Sequence, residues 1–177
     1  MPHLIAAVVL VAVANLAPWV AGVLLGDRWA GPLDFGRTLN DGSRLLGSHK
    51  SWRGLLTGAV ACALVAPLMG YPLLLGLRFG VLSLVGDAAS SFVKRRLHRA
   101  PGTEIAGLDQ LPEALLPLLT LRRSLSLSLL QVLSAAAAFT VLHLALQAVR
   151  IAVESGRARV RRRAAERRRV TGQPGAD

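Results

Sequence analysis

Three stretches of this chain carry no Asp, Glu, Lys or Arg: residues 1–26, 54–77 and 124–149. Each is long enough to cross a hydrocarbon core of about 30 Å, which takes roughly 20 apolar residues. The middle stretch contains Gly70-Tyr71-Pro72, a turn signal. It divides the region into a short helix over 55–69 and a second over 73 to about 93, with Asp87 near the end of the second. Residues 111–121 are a further apolar piece, too short for a straight span. They form either a half-helix or a span completed by residues 120–124. The pattern predicts an all-α integral membrane bundle of about five transmembrane helices. Two polar loops on the cytoplasmic side are left to form an active site.

Basic residues orient that bundle. Five crossings with the N-terminus outside put 27–53, 94–110 and the tail from residue 150 in the cytoplasm. These segments hold five, four and nine of the 21 Lys and Arg residues, leaving Arg78, Arg122 and Arg123 outside. Cytoplasmic segments are expected to be the richer in Lys and Arg. A fourth piece that failed to cross would put the Arg-rich tail outside, against that rule. The first apolar stretch lacks the basic start of a cleavable signal peptide. The expected organisation is one transmembrane domain over 1–150 and a basic, disordered tail over 151–177.

Composition narrows the chemistry. Hydrophobic residues make up 53% of 177 residues, above the soluble range, and length leaves no room for a separate catalytic module. The net charge of +11 calls for a phosphate-bearing partner: nucleic acid, lipid head group or nucleotide. The tail has no aromatic residue to stack on a base, so anionic lipid is its expected partner rather than specific nucleic acid. The single Cys62 excludes a disulfide framework and reads as a small buried apolar residue.

Three polar motifs interrupt the apolar pattern. The first runs Asp41-Gly42-Ser43-Arg44-Leu45-Leu46-Gly47-Ser48-His49-Lys50-Ser51-Trp52-Arg53-Gly54, following Pro32-Leu33-Asp34-Phe35-Gly36. Glycines, hydroxyls and two cations just before an apolar helix can offer backbone N–H groups to a phosphate. Lys50 is a compact charge and Arg53 a bidentate one. A loop that merely carries topology-setting charge fits the spacing equally well. The second motif is Gly86-Asp87-Ala88-Ala89-Ser90-Ser91-Phe92-Val93-Lys94-Arg95-Arg96. An Asp inside an apolar helix is costly and marks a functional position by default. Helical spacing places Asp87, Ser90, Ser91 and Lys94 on one face, offering a carboxylate for a metal, two hydroxyls and a cation. The structural alternative is an internal ion pair from Asp87 to Lys94 or Arg95. The third motif, Gly107-Leu108-Asp109-Gln110-Leu111-Pro112-Glu113, adds two carboxylates, with Asp109 also placed to cap the next helix. Acids and cations at one membrane face fit nucleotide chemistry, because Mg²⁺ is typically held by one or two carboxylates plus substrate phosphates.

Together the three motifs closely resemble the CDP-archaeol synthase family, over residues 15–143. They are similar more broadly to the CDP-diacylglycerol synthases, whose Lys-Thr-Trp-Glu-Gly and Gly-Asp-x-x-x-Ser-x-x-Lys-Arg motifs correspond to residues 50–54 and 86–95. The resemblance implies five helices around a cytoplasm-facing cavity, and transfer of CMP from CTP to a membrane lipid phosphate with Mg²⁺ as cofactor. It implies metal binding by Asp87 and Asp109, with Glu113 a third candidate. It implies phosphate binding by Lys50, Arg53, Lys94 and Arg95, and nucleotide contacts from Asp41, Ser48, His49, Trp52, Ser90 and Ser91. Two positions depart from the family pattern. Many archaeal members have an acid at Pro112, and the archaeal His-Leu-x-x-Asn is His143-Leu144-Ala145-Leu146-Gln147 here. The Arg- and Ala-rich composition points to a bacterial genome, so an ether-linked and an acyl lipid both stay open, as does a homo-oligomer. A CTP-dependent lipid kinase and a non-enzymatic protein with a vestigial site are the competing classes. A small transporter would call for inverted repeats, which are not visible.

Overall fold

The computed structural model describes residues 2–47, 50–100, 103, 105, 107–145 and 147–148. Among these, five helices follow one another: α1 (Pro2–Leu25), α2 (Trp52–Leu68), α3 (Leu73–Arg96), α4 (Gln110–Thr120) and α5 (Leu129–Ala145). They match the five segments expected from the apolar pattern. The strong spans α1 and α3 are 24 residues each, long and apolar enough to cross a bilayer. The expected extension of the fourth segment through residue 124 does not form. Residues 121–126 are turn, Ser126 adopts a left-handed φ of 53°, and α4 stops as an 11-residue piece about 16 Å long.

Each boundary has a local cause. At the start of α2, Ser51 Oγ accepts the N–H of Gly54 at 3.2 Å, a side-chain N-cap. At its end, Gly70 N donates to Pro67 O and Tyr71 N to Ala66 O, with Gly70 at a φ of 80°. This is the left-handed glycine stop that lets Pro72 begin α3. α3 ends the same way with His98 in the left-handed position. The hairpin between α2 and α3 lies beside the chain start, where His3 Nδ1 and Tyr71 Oη are 2.6 Å apart. The loops 26–51 and 97–109 are therefore at the opposite end of the bundle.

Residues Met1–Thr140 make one compact unit. Its core draws on every helix: Leu10 and Val11 of α1, Cys62 of α2, Phe79 of α3, Leu118 of α4 and Val132 of α5 are fully buried. Cys62 behaves as an apolar core residue, its thiol donating to Leu10 O at 3.4 Å. The outer faces keep large apolar side chains in the open, with Leu24, Leu68 and Leu130 each over 70% exposed. Such a surface suits hydrocarbon rather than water. Helices meet through small residues, as membrane helices do. A Cβ on Gly80 would lie 2.7 Å from Ala59 Cα in α2, and one on Gly86 would lie 2.2 Å from Pro112 O in α4. Gly86 thus sets how closely Asp87 approaches Glu113. The chain from Val141 forms a second unit, helical over its described residues.

Candidate active site

Helix α3 carries an acid, Asp87, and two turns later a cation, Lys94. Their separation along one helix does not pair them with each other. Lys50, from the first loop, forms an ion pair with Asp87. Asp109, from the second, faces Lys94 with Nζ and Oδ1 2.6 Å apart. The internal pair between Asp87 and Lys94 or Arg95 considered from spacing is therefore replaced by two cross-pairs. One loop supplies a cation to the helix acid and the other an acid to the helix cation. All four side chains are largely shielded, between 11% and 23% exposed.

The first loop folds on itself to deliver Lys50. Thr38 and Arg44 pair as an antiparallel bridge, and Pro32 pairs with Ser51. Asp34, 3% exposed, lies at the neck. Its Oδ1 accepts from Gly36 N at 3.0 Å and Arg44 Nη2 at 2.9 Å, and its Oδ2 from Leu46 N at 3.1 Å and Gly47 N at 3.2 Å. Burial would raise its carboxyl pKa, but these donors outweigh burial and hold it down at about 2. The second loop is held from α3 instead: Lys94 Nζ donates to Thr103 O at 3.1 Å and Arg95 Nη2 to Ala100 O at 2.9 Å. Asp109 does not cap α4 with its side chain, contrary to the capping expectation. Its Oδ2 accepts from Ile105 N at 3.0 Å, closing the second loop.

Other expected site residues fall in different places. Ser90 and Ser91 are buried, and both hydroxyls donate to Asp87 O, one turn back. Arg53 turns away from the ion pairs: its Nη1 donates to Gly26 O at 2.5 Å and Arg28 O at 2.8 Å, the favourable placement of a cation at the C-terminus of α1. Trp52 is 43% exposed and tilts against Phe35, with ring centroids 6.0 Å apart. Asp41 Oδ2 takes Arg96 Nη1 at 2.6 Å, and the Ser43 N–H and Arg96 hold its carboxyl below the usual range. Ser48, His49 and the tail 151–177 lie outside the described residues. Sequence reasoning gave no role to Asp34, Arg44 or Arg96. An Asp with an apolar neighbour on each side and a Gly two residues on is an Asx-turn signal that could have picked out Asp34. Nothing local could have picked out the clasp made by Arg96, whose hydrogen-bond partners are more than 50 residues away.

Glu113 completes the constellation. It is 4% exposed, its Oε1 has no hydrogen-bond partner, and the charges acting on it are those of Asp87, Lys50, Asp109 and Lys94. Among the described residues no three His, Cys, Asp or Glu side chains converge on one point. A divalent cation that takes one or two carboxylates and completes its shell with phosphate and water fits this set. Glu113 Oε1 is the buried carboxylate oxygen of this set without a partner.

Comparison with known proteins bears on the family and the fold. A family model for CarS-like CDP-archaeol synthases matches residues 1–74 and 69–156. The chain is 42% identical over 104 residues to a CDP-archaeol synthase of Thermofilum pendens, covering 56% of this chain and 51% of that protein. It is 41% identical over 107 residues to one of Pyrococcus furiosus, covering 55% and 60%. The matched part thus spans between about half and 60% of these relatives' lengths. A solved intramembrane enzyme for archaeal membrane lipid biosynthesis superposes with a TM-score of 0.70 at 34% identity, over 81% of this chain and 91% of that one. The five helices are accordingly those of a membrane-embedded bundle, and this chain belongs to the CDP-archaeol synthase family.

Proposed function

We propose that the chain is a CTP-dependent cytidylyltransferase, moving CMP from CTP to a membrane lipid phosphate in phospholipid biosynthesis. The observation that carries the reading is the reciprocal pairing on α3, Lys50 with Asp87 and Lys94 with Asp109, beside the buried Glu113. Cations and carboxylates held this way can part, the cations to a triphosphate and the carboxylates to a metal. An oxygen of the lipid phosphate attacks the α-phosphorus of CTP. The new O–P bond forms as the bond from that phosphorus to the bridging oxygen breaks, and pyrophosphate leaves with the electron pair. Lys50 and Lys94, with Arg95 at the end of α3, offset charge on the phosphoryl oxygens. Asp87 and Asp109, with Glu113 as a third donor, would hold Mg²⁺, which supplies neutralisation of the triphosphate charge. Nucleotide contacts from Trp52, Ser90, Ser91, Asp41, Ser48 and His49 belong to the same reading. Arg53 supports the loop from the α1 end.

The basic asymmetry supports a site facing the cytoplasm, with the tail against anionic lipid. The relatives are named for CDP-archaeol. For this chain the lipid is set only as a phosphate-bearing membrane lipid, ether-linked or acyl.

The test is incubation of purified protein with Mg²⁺, a panel of ether and acyl lipid phosphates, and CTP labelled at either the α- or the γ-phosphate. Label from the α position in a CDP-lipid, with pyrophosphate released, is the expected result. Label transferred from the γ position would make it a kinase. No transfer from either position would sink both.

A further inference from the structure

We infer that Asp34 is the positioning residue for Lys50: its buried carboxylate ties the neck of the first loop and so places the Lys50 amine against Asp87. That Lys50 then serves a nucleotide rests on the function proposed above; the positioning itself rests on the loop's geometry. Residues 37–45 form a closed arm, with Leu39 N donating to Ser43 O and Leu45 N to Arg37 O. The arm leaves the neck at residue 36 and returns at 46. Asp34 grips both sides of that opening, Gly36 N where the arm leaves and Leu46 N and Gly47 N where it returns. Its neighbour Leu33 donates to Lys50 O at 2.7 Å, and Trp52 N donates to Gly31 O at 3.0 Å, so the strand beside Asp34 also fixes the backbone of Lys50. Without the carboxylate, the Leu46 and Gly47 N–H groups lose their acceptor, and the segment leading into Lys50 loses its anchor. Arg44 contributes one further bond from the exposed side and is one-third exposed, so it is the lesser part of the clamp.

The chain's two lysines make this testable without turnover. Reductive ¹³C-methylation of the full chain in detergent leaves both amines charged and gives each an NMR signal, assigned with Lys94→Arg. In Asp34→Asn the Lys50 signal is expected to move towards the position it takes in Asp87→Asn, while the Lys94 signal stays. An unmoved Lys50 signal overturns the proposal. So does equal movement of both signals, which would mean general loosening rather than positioning. Should Asp34→Asn fail to fold, Arg44→Ala is expected to move the Lys50 signal alone by a smaller amount, and no movement overturns the proposal.

CTP titration of the same samples adds the consequence for the nucleotide. Affinity is expected to fall about 10-fold in Asp34→Asn, the scale of one lost charge-assisted contact, and not to fall further when Lys50→Met is already present. Additive losses would mean that Asp34 acts by another route, against the proposal. If CTP moves neither lysine signal in the wild type, the nucleotide reading fails, while the methyl shifts still decide the coupling of Asp34 to Lys50.

Discussion

The two polar loops reach the same helix by opposite means. The first, residues 26–51, is self-built: it closes an arm with its own backbone bonds, buries its own carboxylate, and presents a finished lysine to Asp87. The second, residues 97–109, closes on Asp109 through Ile105 N but is held in place by cations reaching out from α3, with Asp109 returning to Lys94. The difference teaches that α3 is the template of the site. It offers one acid and one cation two turns apart, and each loop brings the complement. Partly buried pairs of this kind are weak stabilisers in themselves, yet a charge left alone there is costly. The pairs therefore specify where the loops dock more than they add stability.

The comparison breaks first at the carboxylates. Asp87→Asn and Asp109→Asn keep shape and remove charge, one on the helix and one on the loop. Each is expected to lower CDP-lipid formation by about 10³-fold or more, with normal insertion and purification, and the double variant is expected to be no worse than either single one, since residues acting as a unit are non-additive. Radiochemical turnover in detergent measures all three. If Asp87 served only as the counter-ion of Lys50, Asp87→Asn combined with Lys50→Met would be no less active than Lys50→Met alone, and that outcome would remove the metal role.

Next come the lysines, which separate gripping phosphate from holding loops. Lys50→Ala and Lys94→Ala are each expected to cost about 1.5–3 kcal/mol, roughly 10- to 150-fold in kcat/KM for CTP. Arg53→Ala makes the control, since its guanidinium sits on the α1 carbonyls. It is expected to lower the melting temperature with a smaller change in kcat/KM. Steady-state kinetics with varied CTP distinguish them. An Arg53 effect as large as that of Lys50 would return Arg53 to the phosphate.

Gly86→Ala tests the template rather than its charges. The added methyl meets backbone atoms of Pro112 and Glu113, so α3 and α4 must separate. Overpacking of this sort costs about 1–3 kcal/mol. A lower melting temperature in detergent with reduced turnover is expected, and an unchanged melting temperature would mean that the helices have room to spare.

The helices were legible in the sequence because charge-free runs and one Gly-Tyr-Pro turn mark them with little ambiguity. The end of α4 was less so: residues 121–126, Leu-Arg-Arg-Ser-Leu-Ser, contain no Gly or Pro to stop a helix, and the left-handed Ser126 shows that they turn. Within the candidate site, residue types pointed to the loops that meet α3 but not to the pairing. Helical spacing puts Asp87 and Lys94 on one face, and no local signal says that each has a nearer partner from elsewhere in the chain. Arg53 lies within a cationic motif in sequence, while in the fold its guanidinium reaches across from α2 to the carbonyls at the end of α1.

The smallest expected effect belongs to the clasp between the first loop and the end of α3. Arg96 donates to Asp41 Oδ2 at 2.6 Å and to Arg44 O at 2.9 Å, and its guanidinium lies 5.3 Å from the Phe92 ring centroid. It secures the same arm that Asp34 secures, but from outside: the side chains of Arg96 and Asp41 are 25% and 33% exposed, whereas that of Asp34 is fully enclosed. Water and salt screen the outer pair, and exposed pairs contribute little. Arg96→Ala is therefore expected to change stability little, and to weaken CTP binding only a few-fold at low ionic strength. At high salt the difference from wild type should fade, because the wild-type pair is then screened as well. Asp34→Asn should keep its full effect across the same salt series, since its donors are mostly backbone N–H groups shielded from solvent. Titrating CTP against both variants at low and high salt makes the comparison direct. Equal losses for the two variants, or a loss at Arg96 that persists in high salt, would mean that the arm is held from α3 and not from its own neck.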